Sequence, residues 1–191
     1  SELNYKTNGG RNIQQYDLFG EPIKTKYELD VIPVSVIDLE PQKVRKTGGH
    51  NAKSSRQEYS PFPREVASLC FEFFMRGAST IFDPFAGWGE RGATAMAYGK
   101  KYIGYDLSLD AIEKAQEKGV KNINADSLTA DIPKHDGLVT CPPYLNLETY
   151  NGQGIDKAKT WQNFKESYGK ILSRCWDKAN SDSIYCIMVG E

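Results

Sequence analysis

Ile81-Phe82-Asp83-Pro84-Phe85-Ala86-Gly87-Trp88-Gly89-Glu90-Arg91-Gly92 is the stretch that decides the fold. Apolar residues lead to an acid, a glycine-rich turn follows, and residues 93–98 favour a helix. The order is buried strand, tight loop, helix start. Gly87, Gly89 and Gly92 space the loop so that backbone can approach a nucleotide closely. The next apolar run, residues 101–105, closes on Asp106. An acid at that strand end can accept hydrogen bonds from both ribose hydroxyls.

Outward from this unit the pattern alternates. A helix opens around Ser60-Pro61-Phe62-Pro63, since proline suits a first helical turn. Val66, Leu69, Cys70, Phe73 and Phe74 give it one apolar face at helical spacing. Beyond the glycine loop, a helix runs to about Tyr98 and stops at Gly99. Residues 101–106 form the second strand. Ser108 caps a helix that ends at Gly119, with Asp110 near its positive end. A short third strand is expected over residues 120–125, ending at Asp126-Ser127, and a fourth over residues 135–141. A polar loop over residues 145–159 leads to a helix over residues 160–179. Trp161, Phe164, Tyr168, Ile171, Leu172 and Cys175 share one face of it. Residues 183–189 make a fifth strand. Alternating strands and helices predict an α/β chain with a doubly wound, mostly parallel sheet.

Residues 1–59 read differently. The first 27 are polar with little periodicity, residues 29–39 are rich in Val and Ile, and Pro33 confines that run to an edge or a break. Residues 41–57 carry Lys43, Arg45, Lys46, Lys53 and Arg56 with no acid, and Gly48-Gly49 and Ser54-Ser55 loosen the chain. This segment reads either as a solvated loop or as a phosphate-contacting loop ordered by DNA. The expected organisation is an N-terminal extension, residues 1–59, followed by one domain, residues 60–191.

Two features narrow the ligand. A carboxylate at Asp83, just ahead of the loop, suits a ligand that carries positive charge. S-adenosylmethionine, with its ammonium and sulfonium, is such a ligand. Then Thr140-Cys141-Pro142-Pro143-Tyr144 follows the fourth apolar run. Together, and in this order, the two motifs resemble those of the amino-group DNA methyltransferases over residues 60–191. The Asp83–Gly92 segment looks like their cofactor loop, and Cys141 to Tyr144 like their Asp/Asn/Ser-Pro-Pro-Tyr catalytic motif. The resemblance implies a Rossmann-like methyltransferase sheet and S-adenosylmethionine as cofactor. It also implies duplex DNA as partner with the target base flipped out, as in DNA methylation and restriction–modification.

Several roles come from the resemblance alone. Ser60, Pro61 and Phe62 would neighbour the methionine end of the cofactor. Asp83, Pro84, Phe85, Ala86, Gly87 and Gly89 would form its loop. Asp106, with Leu107, would hold the ribose, and Asp126 or Ser127 the adenine amino edge. Trp88 and Arg91 depart from the smaller residues common in this loop. Trp88 either walls the adenosine pocket or packs on a helix.

Methylating an exocyclic amine means drawing its lone pair out of the ring. The Pro142 carbonyl and the side chain at Cys141 would accept the amine hydrogens, Pro143 would stiffen the turn, and Tyr144 would stack on the flipped base. Cys141 departs from the usual oxygen-bearing residue, and sulfur is the weaker acceptor. Glu148 and Tyr150 lie in the next loop, within reach of a target base. The family's sheet usually continues past a fifth strand, so a further C-terminal segment or a partner chain is expected to supply that edge.

Composition sets the outer bounds. The 191 residues are 39% hydrophobic and 26% charged, ordinary for a soluble globular domain. A formal net charge of −1 argues against coating nucleic acid by bulk charge, though not against a local basic surface. Cys70, Cys141, Cys175 and Cys186 are scattered without metal-site spacing, so no metal is expected and reduced thiols in the cytoplasm are. No run reaches the length of a membrane span and no signal-peptide pattern opens the sequence. With Ser1 and not Met in first place, the start is expected to be either a processed or an engineered end. Two other readings stay open. One is a binding module that keeps the pocket but has lost catalysis. The other is a nicotinamide-dependent oxidoreductase, whose fingerprint the three glycines and Asp106 satisfy but which has no use for Cys-Pro-Pro-Tyr.

Overall fold

The computed structural model describes residues 62–143, 155, 158 and 160–189. The basic segment, Ser60, Pro61, Tyr144, Glu148 and Tyr150 lie outside the described residues, as does the expected boundary at residue 59. Five strands form one sheet in the order β3-β2-β1-β4-β5, with every neighbouring pair parallel. They are β1 (Thr80–Asp83), β2 (Lys101–Asp106), β3 (Ile123–Asn124), β4 (His135–Thr140) and β5 (Ala179–Ile187). Helix α1 (Arg64–Leu69) precedes β1, α2 (Glu90–Ala97) links β1 to β2, α3 (Leu109–Glu117) links β2 to β3, and α4 (Trp161–Trp176) links β4 to β5. This is the doubly wound α/β arrangement expected, Rossmann-like in its strand order.

The pleat builds two cores. Successive side chains on a strand face opposite ways. Ile81 and Val139 pack with Ala67, Phe71, Met75 and Ala95 from the α1 and α2 side. Their neighbours Phe82 and Leu138 pack with Phe164, Ile171 and Cys175 from α4 on the other side. The reversal of connection direction between β1 and β4 leaves a crevice at the C-terminal strand ends. A crevice of that kind is where open parallel sheets bind ligands.

Local readings hold where punctuation is strong. Ser108 caps α3 as expected by accepting from the Ala111 amide at 3.2 Å; the structure adds a cap on α4, where Thr160 accepts from the Asn163 amide at 3.2 Å. They fail where packing overrides pattern. After Leu69 the helix widens into a π turn, Cys70–Phe74, with the Met75 amide reaching back to the Cys70 carbonyl. The wider turn rotates the face, so Phe71 and Met75 are fully buried while Phe74, expected inside, is 45% exposed. Trp161, also expected on an apolar face, is 60% exposed.

The third strand is shorter than expected. Val120 is buried under the glycine loop instead of pairing, and only Ile123 and Asn124 meet β2. The fifth strand begins earlier than expected, at Ala179. His135 pairs with Ala179 but Gly137 pairs with Ile184, so the intervening polar residues bulge. Asn180 bonds the Asp136 carboxylate and Ser183 donates to the His135 carbonyl at 2.9 Å. An apolar pattern cannot announce a strand half made of Asn, Ser and Asp.

Candidate active site

The glycine loop earns its sequence position by position. Gly87 has φ +56°, and among the described residues a Cβ placed there would meet no atom within 4 Å beyond its chain neighbours. Its open side faces the crevice, where a side chain would occupy ligand space. Gly89 answers a different need. Its φ is +86° and a Cβ would come within 2.8 Å of the Ala115 Cβ, so it lets the loop press on α3. Ala86 donates to the Tyr105 carbonyl at 2.9 Å, and Asn122 donates to the Gly87 carbonyl at 3.0 Å.

The crevice encloses about 580 Å³ of open space, part of it continuous with solvent. Its wall brings together Pro84, Phe85 and Gly87 from the loop with Asp106 and Leu107 from the end of β2. Asp126 and Ser127 stand beyond β3, and Cys141 and Pro143 beyond β4. Residues distant in the chain thus face one space. Ser108, Ala125, Ile155 and Ile171 complete the wall. Ile171 reads in sequence only as part of a core helix face, and nothing in the pattern marks Ile155.

Other expected site residues stand elsewhere. Ala86 is buried, and with Gly89 and Pro142 it is not on the crevice wall. Phe62 lies under the Arg91 guanidinium, 4.8 Å from the ring centroid. Trp88 is not on the wall either; its carbonyl accepts from Lys118 Nζ at 2.6 Å, tying the loop to the end of α3.

Asp83 departs most from expectation. It is fully buried and absent from the wall. One carboxylate oxygen accepts from the Phe85 amide at 3.1 Å and the Thr140 hydroxyl at 2.7 Å. The other accepts from Arg91 Nε at 2.7 Å and the Tyr102 hydroxyl at 2.9 Å. Its acceptor capacity is spent inside the protein, and Arg91 balances its charge. A ligand ammonium therefore has no claim on it in this arrangement. Burial works against the Arg91 charge, but Asp83 beside it outweighs that and holds the guanidinium more firmly protonated than usual. Burial, then the Asp83 charge, pushes the Tyr102 phenol well above its ordinary range, which keeps it a donor.

Asp106 is arranged differently. One oxygen accepts from the Gly87 amide at 2.7 Å, the other from the Ser108 amide at 2.8 Å, and each keeps a lone pair for a ligand. Burial raises its pKa, the two backbone N–H groups oppose that, and the Asp83 charge adds to it. Asp126 accepts from the Leu128 amide at 2.9 Å and Ser127 donates to the Pro84 carbonyl at 2.9 Å. Phe85 meets the Tyr168 ring at 6.0 Å. The Tyr168 hydroxyl is buried with no hydrogen-bond partner among the described residues, and burial pushes it up to about 12.

With this geometry in place, likeness to known proteins can be weighed. The sequence profile of the DNA methylase (N6/N4) family matches residues 5–117, more than half of the chain. The chain belongs to the DNA methylase family. The match runs through the N-terminal extension, the glycine loop, Asp106 and α3, and ends before Cys141. The family's methyl donor is S-adenosylmethionine. No curated protein matches the chain.

Solved structures resemble the chain over part of their length. A methyltransferase from Agrobacterium tumefaciens is 19% identical, with a TM-score of 0.48 over 69% of this chain and 46% of its own. The PH0226 protein of Pyrococcus horikoshii OT3 is 15% identical, with a TM-score of 0.49 over 64% of this chain and 50% of its own. An S-adenosylmethionine-dependent methyltransferase from Clostridium acetobutylicum is 12% identical, with a TM-score of 0.47 over 67% and 50%. The matched part is about half the length of these structures. Among the described residues no helix is long and apolar enough to cross a membrane, and no cluster of His, Cys, Asp or Glu could hold a metal.

Proposed function

We propose that this chain transfers a methyl group from S-adenosylmethionine to the exocyclic amino group of adenine or cytosine in DNA. The observation that carries the reading is the shared crevice. Cys141 and Pro143, from the turn that resembles the family's catalytic motif, face the same space as Gly87, Asp106 and Asp126. The nicotinamide reading gives Cys141 and Pro143 no task there.

The residues fit the cofactor. The crevice lies at the C-terminal ends of the strands, where open parallel sheets bind nucleotides. Asp106 retains lone pairs for two ribose hydroxyls, Gly87 leaves room for close approach, and Asp126 and Ser127 suit an adenine amino edge. With Asp83 neutralised by Arg91, Asp106 and Asp126 are the carboxylates among the described residues that face the crevice, which favours a ligand of net positive charge. When bound, S-adenosylmethionine supplies an electrophilic methyl group whose bonding electrons leave with a neutral thioether sulfur.

The chain's own part is to present the amine. Cys141, on the crevice wall, accepts one of its hydrogens, the resemblance gives the other to the carbonyl of Pro142, whose ring stands off the wall, and the lone pair turns toward the crevice. The proton leaves after the nitrogen has become cationic, so no strong base is needed. Tyr144 and the cations at Lys43, Arg45, Lys46, Lys53 and Arg56, all outside the described residues, would supply base stacking and phosphate contacts.

Single-turnover transfer of labelled methyl to duplex DNA, followed by nucleoside analysis, tests the reading. Cys141→Ser should preserve or raise the rate, because oxygen accepts the amine hydrogen better than sulfur. Cys141→Ala should lower it by about 10- to 100-fold, the ~1.4–2.7 kcal/mol of one transition-state hydrogen bond. A Cys141→Ser variant as dead as Cys141→Ala would replace this role with a covalent or redox one. Absence of transfer by the wild type would favour a binding module.

A further inference from the structure

Thr140 is held from two sides. Its hydroxyl donates to the Asp83 carboxylate at 2.7 Å, and its carbonyl accepts from the Met188 amide at 2.9 Å, just past β5. Thr140 and Asp83 are both fully buried, and the third member, Arg91, is 5% exposed. The residues after Thr140 are Cys141, Pro142 and Pro143. Two successive prolines have no N–H to donate, so the turn cannot tie itself down through backbone donors at those positions. Its direction depends on the residue before it. The same carboxylate also binds the Phe85 amide in the glycine loop, Arg91 in the first turn of α2 and Tyr102 on β2.

We infer that Asp83 and Thr140 are positioning residues that hold the Cys141-Pro142-Pro143 turn in register with the glycine loop. The ligand-facing loop and the turn then share one buried anchor, and neither moves without breaking a charge-assisted hydrogen bond. This inference rests on the proposed methyl transfer for its consequence in catalysis, but not for its geometry. It assigns Asp83 a role through other residues, in place of direct contact with the cofactor.

The test compares Thr140→Val, which keeps the shape and loses the donor, with Thr140→Ser, which keeps the donor. Two readouts are taken. One is the rate at which iodoacetamide alkylates Cys141 in the ligand-free protein, followed by peptide mass spectrometry. The other is single-turnover methyl transfer to duplex DNA.

Thr140→Val should speed alkylation and slow transfer by about tenfold each, the scale of one hydrogen bond to a charged group. Affinity for S-adenosylhomocysteine should barely change, and Thr140→Ser should behave as wild type. Tyr102→Phe removes a donor from the other oxygen and controls for lost stability, since it should leave Cys141 alkylation alone. Should Thr140→Val not fold, Thr140→Ala gives the same comparison without setting a methyl against the carboxylate. Unchanged alkylation in the Thr140 variant, or equal acceleration in Tyr102→Phe, overturns the inference. A wild type that transfers no methyl group overturns the methyltransferase reading instead, and the anchor then stands or falls on alkylation alone.

Discussion

Asp83 and Asp106 end neighbouring strands, β1 and β2, and look alike in sequence: an acid closing an apolar run. The structure uses them in opposite ways. Asp83 takes four protein donors and one balancing cation and has no face on the crevice. Asp106 takes two backbone amides and faces the crevice with acceptor capacity left over. The difference lies in what stands beside each strand end. Arg91, Tyr102 and Thr140 come from α2, β2 and β4 to close around Asp83, whereas among the described residues Asp106 takes the Gly87 and Ser108 backbone amides alone. A carboxylate saturated from within organises a site, and one left half-satisfied is available to a ligand.

The largest expected effect tests the saturated member. Asp83→Ala leaves the Arg91 guanidinium buried without its partner and should cost about 3–5 kcal/mol of stability. Urea denaturation measures it. A loss below about 1 kcal/mol would mean that Arg91 simply re-solvates, and the contrast between the two acids would collapse.

The next effect tests the available member. Asp106→Ala should weaken binding of S-adenosylmethionine or its demethylated product at least about tenfold, since each lost hydroxyl bond to a charged acceptor is worth about 1.5–3 kcal/mol. Calorimetry reads it, and unchanged affinity would take Asp106 out of the site. The smallest effect is a pH dependence. Because burial raises the folded pKa of Asp106 above its ordinary 3.8, its contribution to stability is fully present below that value. It is lost as pH rises through the raised pKa. Asp106→Asn has no such proton to lose, so its Tm should gain on the wild type as pH rises through that window. Parallel Tm profiles would show that Asp106 is better hydrated than its burial suggests.

Legibility followed the kind of signal. The strand–loop–helix at residues 81–98 was readable because its cues are local: an apolar run, an acid, glycines at fixed spacing. Capping at Ser108 was readable for the same reason. The π turn at Cys70–Phe74 was not, because its register is set by burying Phe71 and Met75 in a core shared with Ile81 of β1 and with Val139 of β4, far along the chain. The polar half of β5 was hidden because its side chains bond Asp136 and His135 instead of packing. At the site, Gly87, Asp106, Asp126 and Cys141 could be nominated from motif spacing. Ile171 could not, since a helix face that lines a crevice and one that fills a core share the same periodicity.

By itself the sequence determined the alternation of strands and helices, the glycine-loop position and the placement of acids at strand ends. These depend on backbone propensity and on spacing between near neighbours. Only the tertiary structure decided which acid is spent and which is offered. That choice depends on donors brought by three other elements to within hydrogen-bonding distance of Asp83, and on burial that makes an unmatched charge there too costly to keep.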